Sequence, residues 1–201
     1  MDRKFKIKIF ADGADLEGMK EMYQKPYIRG FTTNPTLMRK AGIQDYELFC
    51  RNVLKEIPDR PISLEVFSDD LEEMARQARK IAEWGPNVYV KIPVTNTLGI
   101  PTKKIIKELS GAGVKLNITA ILTLEQVHFV TESLSEKTPA VISVFAGRIA
   151  DTGHDPVPLM QESLQIVKAR PKAELLWASP REILNVVQAD AIGCHIITVT
   201  N

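Results

Sequence analysis

The sequence of 201 residues lacks the patterns that mark several classes of protein. It has two cysteines, Cys50 and Cys194, which are far apart in apolar surroundings, and it has no CxxC motif or Cys/His ligand spacing. We therefore expect reduced thiols in the core of a cytoplasmic protein. The first segment, "MDRKFKIKIF", alternates charged and apolar residues and is not apolar for long enough to form a signal peptide or a membrane span. No membrane partner is predicted.

An excess of charge of either sign is also missing. The chain has 26 Lys and Arg residues against 25 Asp and Glu residues, so no overall field would attract nucleic acid or an anionic membrane. Any anionic ligand must then be held by local charges. With 201 residues and 44% hydrophobic content, the chain can bury one substantial core, and we expect a single domain over residues 1–201.

Short β-rich segments alternate with longer amphipathic segments, and no linker or low-complexity tract divides them. The predicted strands are "KIKIF" (6–10), "YIRGF" (27–31), "ISLEVF" (62–67), "NVYVKI" (87–92), "VKLNIT" (114–119), "AVISVF" (140–145), "ELLWAS" (174–179) and "HIITVT" (195–200). The segment "DDLEEMARQARKIAEWG" is typical of the helices between them, because its apolar residues share one face: Leu71, Met74, Ala75, Ala78, Ile81 and Ala82.

The repeated strand and helix units, roughly 25 residues each, predict an α/β fold in which a parallel sheet closes into a (β/α)8 TIM barrel. An open doubly wound sheet is the alternative. It is disfavoured because "FADGAD", after the first strand, contains one glycine and no phosphate-binding fingerprint. The sequence stops at Asn201, directly after the eighth strand. We therefore expect a barrel that lacks its eighth helix, either by truncation or because the natural protein continues.

Polar residues gather at the carboxyl ends of the predicted strands, which form the active face of such a barrel. In chain order they are Asp12, Thr33, Asn34, Glu65, Lys91, Asn117, Thr119, Ser143, Arg148, Ser179 and Arg181. Taken singly, most of them have structural explanations, since polar residues at element ends cap helices and form turns. Asn34 before Pro35 is a candidate N-cap, and "SPRE" predicts a capping box between Ser179 and Glu182. Their coincidence on one rim favours a site.

Lys91 and Glu65 are harder to explain structurally, because Lys and Glu are rarely buried unless paired. Both lie within apolar segments on adjacent predicted strands. One explanation is an ion pair between neighbours, although buried pairs are weak evidence for stability. The other is catalytic. A lysine amine that is desolvated in a barrel interior loses part of its preference for the charged form and can attack a carbonyl to form a Schiff base.

These residues, in this order, resemble the transaldolase family, which includes fructose-6-phosphate aldolase, and the resemblance covers essentially the whole chain. It rests on "FADGAD", "TTNP" (32–35), "VKIPVT" (90–95), "NIT" (117–119), "SVFAGRI" (143–149) and "ASPR" (178–181). The pairing of "TTNP" with "KIP" at this separation is the specific part. The chain departs from the family at Gly13, Val144, Ala146 and Pro180.

The resemblance implies a metal-independent and cofactor-independent aldol reaction through a Schiff base. It implies Lys91 as the Schiff-base residue, Asp12 in proton transfer, and Glu65 with Thr119 around a catalytic water. It implies substrate contacts at Thr33, Asn34, Asn117, Ser143, Phe145, Arg148, Ser179 and Arg181, with the arginines and Ser179 on phosphate. The implied substrates are fructose 6-phosphate, erythrose 4-phosphate and sedoheptulose 7-phosphate of the pentose phosphate pathway. A homo-oligomer is also expected.

Two other functions remain open at this point. The first is cleavage with release of free dihydroxyacetone, as in fructose-6-phosphate aldolase. That subgroup has glutamine where this chain has Glu65 and tyrosine where it has Phe145, so both positions favour transaldolase. The second is a barrel that binds sugar phosphates without catalysis, since a fold alone does not establish a function. The presence of Lys91, Asp12 and Glu65 disfavours it.

Overall fold

The computed structural model of the protein describes residues 5–200. Eight parallel strands pair in chain order, and β1 also pairs with β8, so the sheet closes into a barrel. The strands are β1 Lys8–Asp12, β2 Ile28–Thr32, β3 Ile62–Glu65, β4 Val88–Pro93, β5 Leu116–Ile121, β6 Ala140–Val144, β7 Ala173–Trp177 and β8 Ile196–Thr200. The predicted (β/α)8 barrel is confirmed, and the open doubly wound alternative is excluded.

Helices surround the barrel, and two of the connections contain a pair of them. The helices are α1 Leu16–Tyr23, α2 Pro35–Lys40, α3 Tyr46–Glu56, α4 Leu71–Ala82, α5 Lys103–Gly111, α6 Leu124–Ser133, α7 Ala146–Asp151, α8 Pro156–Val167 and α9 Ile183–Ala191. Within residues 5–200, β8 is the last element and no helix follows it. None of the helices in that range is long and apolar enough to cross a membrane.

The helices pack onto the barrel through the apolar faces that the sequence predicts. On α4, Met74, Ala75, Ala78 and Ile81 are buried, while the acidic residues of the first turn and the basic residues of the last turn are compatible with the helix dipole. Cys50 and Cys194 are both buried free thiols, as predicted. Burial raises the pKa of each thiol to about 12, so neither is a reactive nucleophile.

The strands alternate between an outer face toward the helices and an inner face toward the barrel axis. On β4 this alternation buries Val88, Val90 and Ile92 against the helices and leaves Tyr89 and Lys91 on the other face. The main apolar core lies between the strands and the helices. A smaller apolar cluster, here called the inner cluster, contains Phe10, Val141, Leu176, Ala178 and Ile196. A Cβ at position 30 would overlap the ring of Phe10, so the absence of a side chain on Gly30 makes space for that ring. The inner cluster supports the polar residues at the carboxyl ends of the strands.

One local prediction is wrong. Ser179 does not cap α9, because the helix begins at Ile183 and its N-cap is Glu182. The side chain of Asn185 instead accepts hydrogen bonds from the backbone N–H groups of Arg181 and Glu182. Ser179 adopts a left-handed backbone conformation with φ of 57°, which an N-cap does not have. The segment 178–182 is therefore a tight turn before the helix.

Candidate active site

Lys91 lies on β4 beside Glu65 on β3, because the two residues are partners in the strand register. The Lys91 Nζ atom is 3.0 Å from Glu65 Oε2, and it donates to the carbonyl oxygen of Thr33 at 3.1 Å. The exposed fractions of the two side chains are 12% and 17%. Both residues line a cavity of about 690 Å³ at the carboxyl ends of the strands. The ion pair is present, and the amine faces the cavity.

Asp12, at the end of β1, lines the same cavity and is held by a threonine that the sequence analysis did not single out. Thr32 Oγ1 donates to Asp12 Oδ1 at 2.7 Å, and Thr32 Oγ1 lies 2.6 Å from Thr198 Oγ1 on β8. Burial raises the pKa of Asp12 above its ordinary value, while the Thr32 hydrogen bond and the positive charge of Lys91 oppose that rise. This carboxylate is therefore more basic than an exposed one.

Asn117 and Ser143 form a buried polar network with Ser63. Ser143 Oγ donates to Asn117 Oδ1 at 2.6 Å, and Asn117 Nδ2 donates to Ser63 Oγ at 2.9 Å. Asn117 is the register partner of Lys91 on the neighbouring strand, and both residues line the cavity. Because each polar group has a partner, the network fixes the side chains of Asn117 and Ser143 at the cavity wall.

Thr119 presents a hydroxyl whose hydrogen-bonding capacity is unused within the described chain. Its side chain is buried and lines the cavity, and Oγ1 has no hydrogen-bond partner among residues 5–200. The next residue, Ala120, has a φ of 61°, and the register of β5 with β6 shifts between Ile118 and Ile121. A left-handed alanine costs about 1 kcal/mol or more. The strained backbone therefore adjoins an unpartnered hydroxyl.

Arg148 on α7 and Arg181 in the turn after β7 lie at the rim of the cavity. Arg181 Nε donates to Asp151 Oδ1 at 2.9 Å, and a second contact joins Arg181 Nη2 to Asp151 Oδ2. Arg148 Nη1 is 3.6 Å from Asp151 Oδ2. The hydrogen bond from Arg181 holds the pKa of Asp151 below its ordinary value. One carboxylate thus holds two guanidinium groups together at the cavity edge, and both arginines line the cavity.

A glycine lets the two arginine-bearing segments approach each other. Gly147 precedes Arg148, and a Cβ on it would overlap the carbonyl oxygen of Ser179. The backbone N–H of Gly147 donates to the carbonyl of Ala178 at 3.3 Å. Any side chain at residue 147 would therefore push the turn that carries Ser179 and Arg181 away from α7.

The remaining predicted residues are placed as follows. Asn34 is the N-cap of α2, as predicted, with Oδ1 accepting from the backbone N–H of Leu37 at 2.9 Å, and it also lines the cavity. Phe145 and Ser179 line the cavity too. Thr33 differs, because its hydroxyl donates to the carbonyl of Ser63 at 3.3 Å, and its own carbonyl oxygen contacts Lys91. The structure thus brings the predicted residues to one cavity, with Thr33 behind its wall.

Sequence reasoning missed several polar residues of this site: Thr32, Thr36, Lys40, Thr198 and Thr200 line the cavity, and Ser63 bonds to Asn117. Thr32 was missed because the predicted second strand ended at Phe31, one residue too early. Ser63 and Thr198 lie inside strands, where a hydroxyl gives no signal of its own. Ser63 could have been placed by its position two residues before Glu65, on the same strand face, whereas Thr198 has no such neighbour among the predicted residues. Within residues 5–200, no group of three His, Cys, Asp or Glu side chains could hold a metal ion.

The fold and the cavity together define a (β/α)8 barrel whose carboxyl-terminal face carries a largely buried lysine paired with a carboxylate. The sequence matches the family described as Transaldolase/Fructose-6-phosphate aldolase over residues 9–201. The chain belongs to this family, and it is an enzyme of the transaldolase/fructose-6-phosphate aldolase type, for which the family implies sugar phosphate substrates.

Relatives of known name agree with this assignment, and a solved structure agrees with the fold. A "Probable transaldolase" of Dehalococcoides mccartyi is 37% identical over 194 residues, which cover 96% of this chain and 86% of the relative. A "Probable transaldolase" of Methanococcus maripaludis is 34% identical over 197 residues, with the same coverage. The crystal structure of KGPDC from Streptococcus mutans has a TM-score of 0.63 at 9% identity, covering 96% of this chain and 88% of that one. At that identity the similarity shows the fold alone.

Proposed function

We propose that this protein is a transaldolase that transfers a dihydroxyacetone unit between sugar phosphates through a Schiff base on Lys91. The observation that carries the proposal is the position of the Lys91 amine at the cavity floor, 3.0 Å from a carboxylate oxygen of Glu65. The exposed fraction of the lysine side chain is only 12%, so the amine is desolvated yet faces the cavity. An adjacent carboxylate is the group that such an amine needs to lose its proton.

The first step is the attack of the Lys91 amine on C2 of the ketose. After the amine has passed a proton to Glu65, its lone pair forms the C–N bond and the carbonyl π bond breaks. The oxygen takes up the proton from Glu65 and a second proton from the nitrogen, and it leaves as water. The product is an iminium ion on Lys91. Thr119 supports this step, because its buried hydroxyl has no partner within residues 5–200 and can hold a water close to Glu65.

The second step is cleavage of the bond between C3 and C4. Asp12 removes the proton of the C4 hydroxyl, the C4 oxygen forms the aldehyde carbonyl, and the electron pair of the broken bond flows into the iminium. The raised pKa of Asp12, caused by its burial, makes it a stronger base than an exposed aspartate. The three-carbon enamine stays on Lys91, and the reverse sequence with another aldehyde completes the transfer.

Substrate recognition divides between the wall and the rim of the cavity. Asn34, Asn117 and Ser143 line the cavity, and we assign them to the substrate hydroxyls, while the carbonyl oxygen of Thr33 holds the Lys91 amine. Arg148, Ser179 and Arg181 gather at the other side of the rim, and we assign them to the phosphate. Phe145 also lines the cavity and contributes an apolar part of its wall.

We also propose a single-domain, cytoplasmic enzyme of the pentose phosphate pathway that acts as a homo-oligomer and needs no metal or cofactor. The cytoplasmic assignment rests on two free, buried cysteines. The pathway follows from the substrates named above, and the oligomer stays a prediction from the family resemblance.

The Schiff base can be tested by trapping. We expect borohydride reduction in the presence of fructose 6-phosphate to add a three-carbon unit or the whole sugar to Lys91, and peptide mass spectrometry locates the adduct. Lys115 is the control lysine, because it lies just before β5 at the amino-terminal end of the strands and donates to the carbonyl oxygen of Pro86, outside the cavity. An adduct on Lys115 or Lys8 would contradict the assignment, and the absence of any adduct would favour a barrel that only binds sugar phosphates.

Transfer can be separated from simple cleavage by product analysis. Because Glu65 is a carboxylate and Phe145 has no hydroxyl, the enamine has one water-mediated proton donor and should wait for an acceptor aldehyde. Fructose 6-phosphate with erythrose 4-phosphate should give sedoheptulose 7-phosphate much faster than fructose 6-phosphate alone gives dihydroxyacetone. The double change Glu65→Gln with Phe145→Tyr should narrow this ratio. A wild-type protein that releases dihydroxyacetone as fast as it transfers it would make the aldolase function the better assignment.

A further inference from the structure

We propose that Thr32 and Thr198 form a hydroxyl chain that orients the Asp12 carboxylate and stabilises its ionised form, so that both threonines are positioning residues for proton transfer. This inference rests on the proposed function for its catalytic meaning. The hydrogen-bond chain itself stands on the geometry of three strands, β8, β2 and β1.

The direction of the protons in the chain follows from what each group can donate. An ionised Asp12 can only accept, so the single proton of the Thr32 hydroxyl is committed to Asp12 Oδ1 at 2.7 Å. The contact of 2.6 Å between the two threonine oxygens then requires Thr198 to donate to Thr32. The protons therefore point from Thr198 through Thr32 to Asp12.

The chain leaves the two oxygens of Asp12 in different situations. Oδ1 is bound by Thr32, whereas no hydrogen bond within residues 5–200 is recorded for Oδ2. Since Asp12 lines the cavity, Oδ2 is the oxygen that remains for a substrate hydroxyl. Both threonines are buried, with exposed fractions of 3% for Thr32 and 8% for Thr198, so water does not compete strongly for their hydrogen bonds.

The charged groups around Asp12 agree with this role. Lys91 on β4 is the charged group whose field acts on Asp12, and it favours the carboxylate, as the Thr32 hydrogen bond does. Burial acts in the opposite direction. Without the hydroxyl chain, Lys91 would be left to oppose the burial alone, and more of Asp12 would be protonated and unable to act as a base.

The test measures the titration of Asp12 directly. We propose NMR titration of protein carrying 13C-labelled aspartate, with the Asp12 signal assigned through Asp12→Asn. In Thr32→Val the midpoint should move up by about one pH unit, the size expected for one hydrogen bond to a charged group. In Thr198→Val it should move up by about 0.2 pH unit, because only the polarisation of the Thr32 bond is lost. Thr32→Ser keeps the hydroxyl and should restore the wild-type midpoint.

The matched control is Thr131→Val on α6. Thr131 is also buried, but unlike Thr32 its Oγ1 has no hydrogen-bond partner within the described chain. Removing its hydroxyl should leave the Asp12 midpoint unchanged. Activity gives a second readout: the lower-pH limb of the kcat profile for transfer should shift with the NMR midpoint, in the same order among the variants. If Thr32→Val does not fold, the shift of the Asp12 midpoint in Thr198→Val provides the test.

The outcomes separate the inference from the proposed function. If Asp12 titrates in Thr32→Val as in wild type, or if Thr198→Val behaves like Thr131→Val, the hydroxyl chain is overturned. If the NMR midpoints move as expected while wild type forms no borohydride adduct on Lys91, the chain is supported and the Schiff-base function fails. If the midpoints move and the activity limb does not, the chain is real but Asp12 is not the base, which overturns its catalytic part.

Discussion

Two lysine–glutamate ion pairs join strands at opposite ends of this barrel. At the amino-terminal end, Lys8 Nζ contacts both carboxylate oxygens of Glu174, at 2.7 and 2.9 Å. At the carboxyl-terminal end, Lys91 Nζ contacts one oxygen of Glu65 at 3.0 Å and a backbone carbonyl. The exposed fractions are 49% and 34% for the first pair but 12% and 17% for the second.

The same two side chains thus form pairs with different physical consequences. An exposed ion pair contributes little to the free energy of folding, because water screens both charges. In a largely buried ion pair, the cost of removing both charges from water can exceed the attraction between them. Lys91 and Glu65 also line the cavity, so a ligand in the cavity can reach the pair. The surroundings, rather than the residue types, make one pair a surface feature and the other a candidate catalytic centre.

The largest expected difference is in activity. Lys91→Met should lower the transfer rate by about a thousandfold or more, because it removes the nucleophile. Lys8→Met makes the same chemical change in the exposed pair and should leave the rate within about twofold of wild type. Coupled-enzyme assays with fructose 6-phosphate and erythrose 4-phosphate measure both. Equal losses in the two variants would show that the two pairs do not differ in function.

A second contrast concerns the arginines at the two ends. Arg181→Ala should raise the KM for phosphorylated substrates by about 10- to 100-fold, as expected for one charge-assisted contact of about 1.5–3 kcal/mol. Arg29 lines a separate cavity at the amino-terminal end of the strands, together with Lys8 and Glu174, and Arg29→Ala should leave KM unchanged. Unphosphorylated fructose is the substrate control, since its KM should not respond to Arg181→Ala. A uniform rise for both sugars would point to a general distortion of the rim.

The third prediction compares the free energy of unfolding of wild type and Asp12→Asn as the pH changes. Burial raises the pKa of Asp12 above its ordinary value of 3.8. The folded protein therefore binds more protons than the unfolded chain just above that pH, and the free energy of unfolding falls as the pH rises through the folded-state pKa. Asp12→Asn cannot ionise and should be more stable than wild type at pH 7, with the advantage shrinking as the pH approaches 3.8. Urea unfolding at several pH values measures this, and a constant difference would contradict it.

The smallest effect is expected for breaking the exposed pair. Glu174→Gln should change the free energy of unfolding by less than about 1 kcal/mol at pH 7, and salt should reduce even that difference. The measurement is urea unfolding at low and high salt. A loss of several kcal/mol would mean that the amino-terminal pair is as tightly coupled to the fold as the pair in the cavity.

Much of the barrel could be predicted from the sequence because strand and helix periodicity repeat eight times. The register that places Glu65 beside Lys91 follows from that repetition, so the site could be located as well. The turn at Ser179 could not, because "SPRE" suits an N-cap, and the close approach of Gly147 to the carbonyl groups of Ala178 and Ser179 joins segments about 30 residues apart in sequence. The hydroxyl chain at Asp12 was also inaccessible, since it joins threonines from strands distant in sequence.

The pairing of β1 with β8 has a consequence for the order in which the molecule is assembled during translation. Lys8 is aligned with Ile196, so the first strand of the barrel must wait for its eighth strand before the sheet can close. Asp12 sits on one side of that seam and Thr198 on the other. A nascent chain can therefore pack its helices early, but the base of the proposed reaction is completed only when synthesis reaches the end of the sheet.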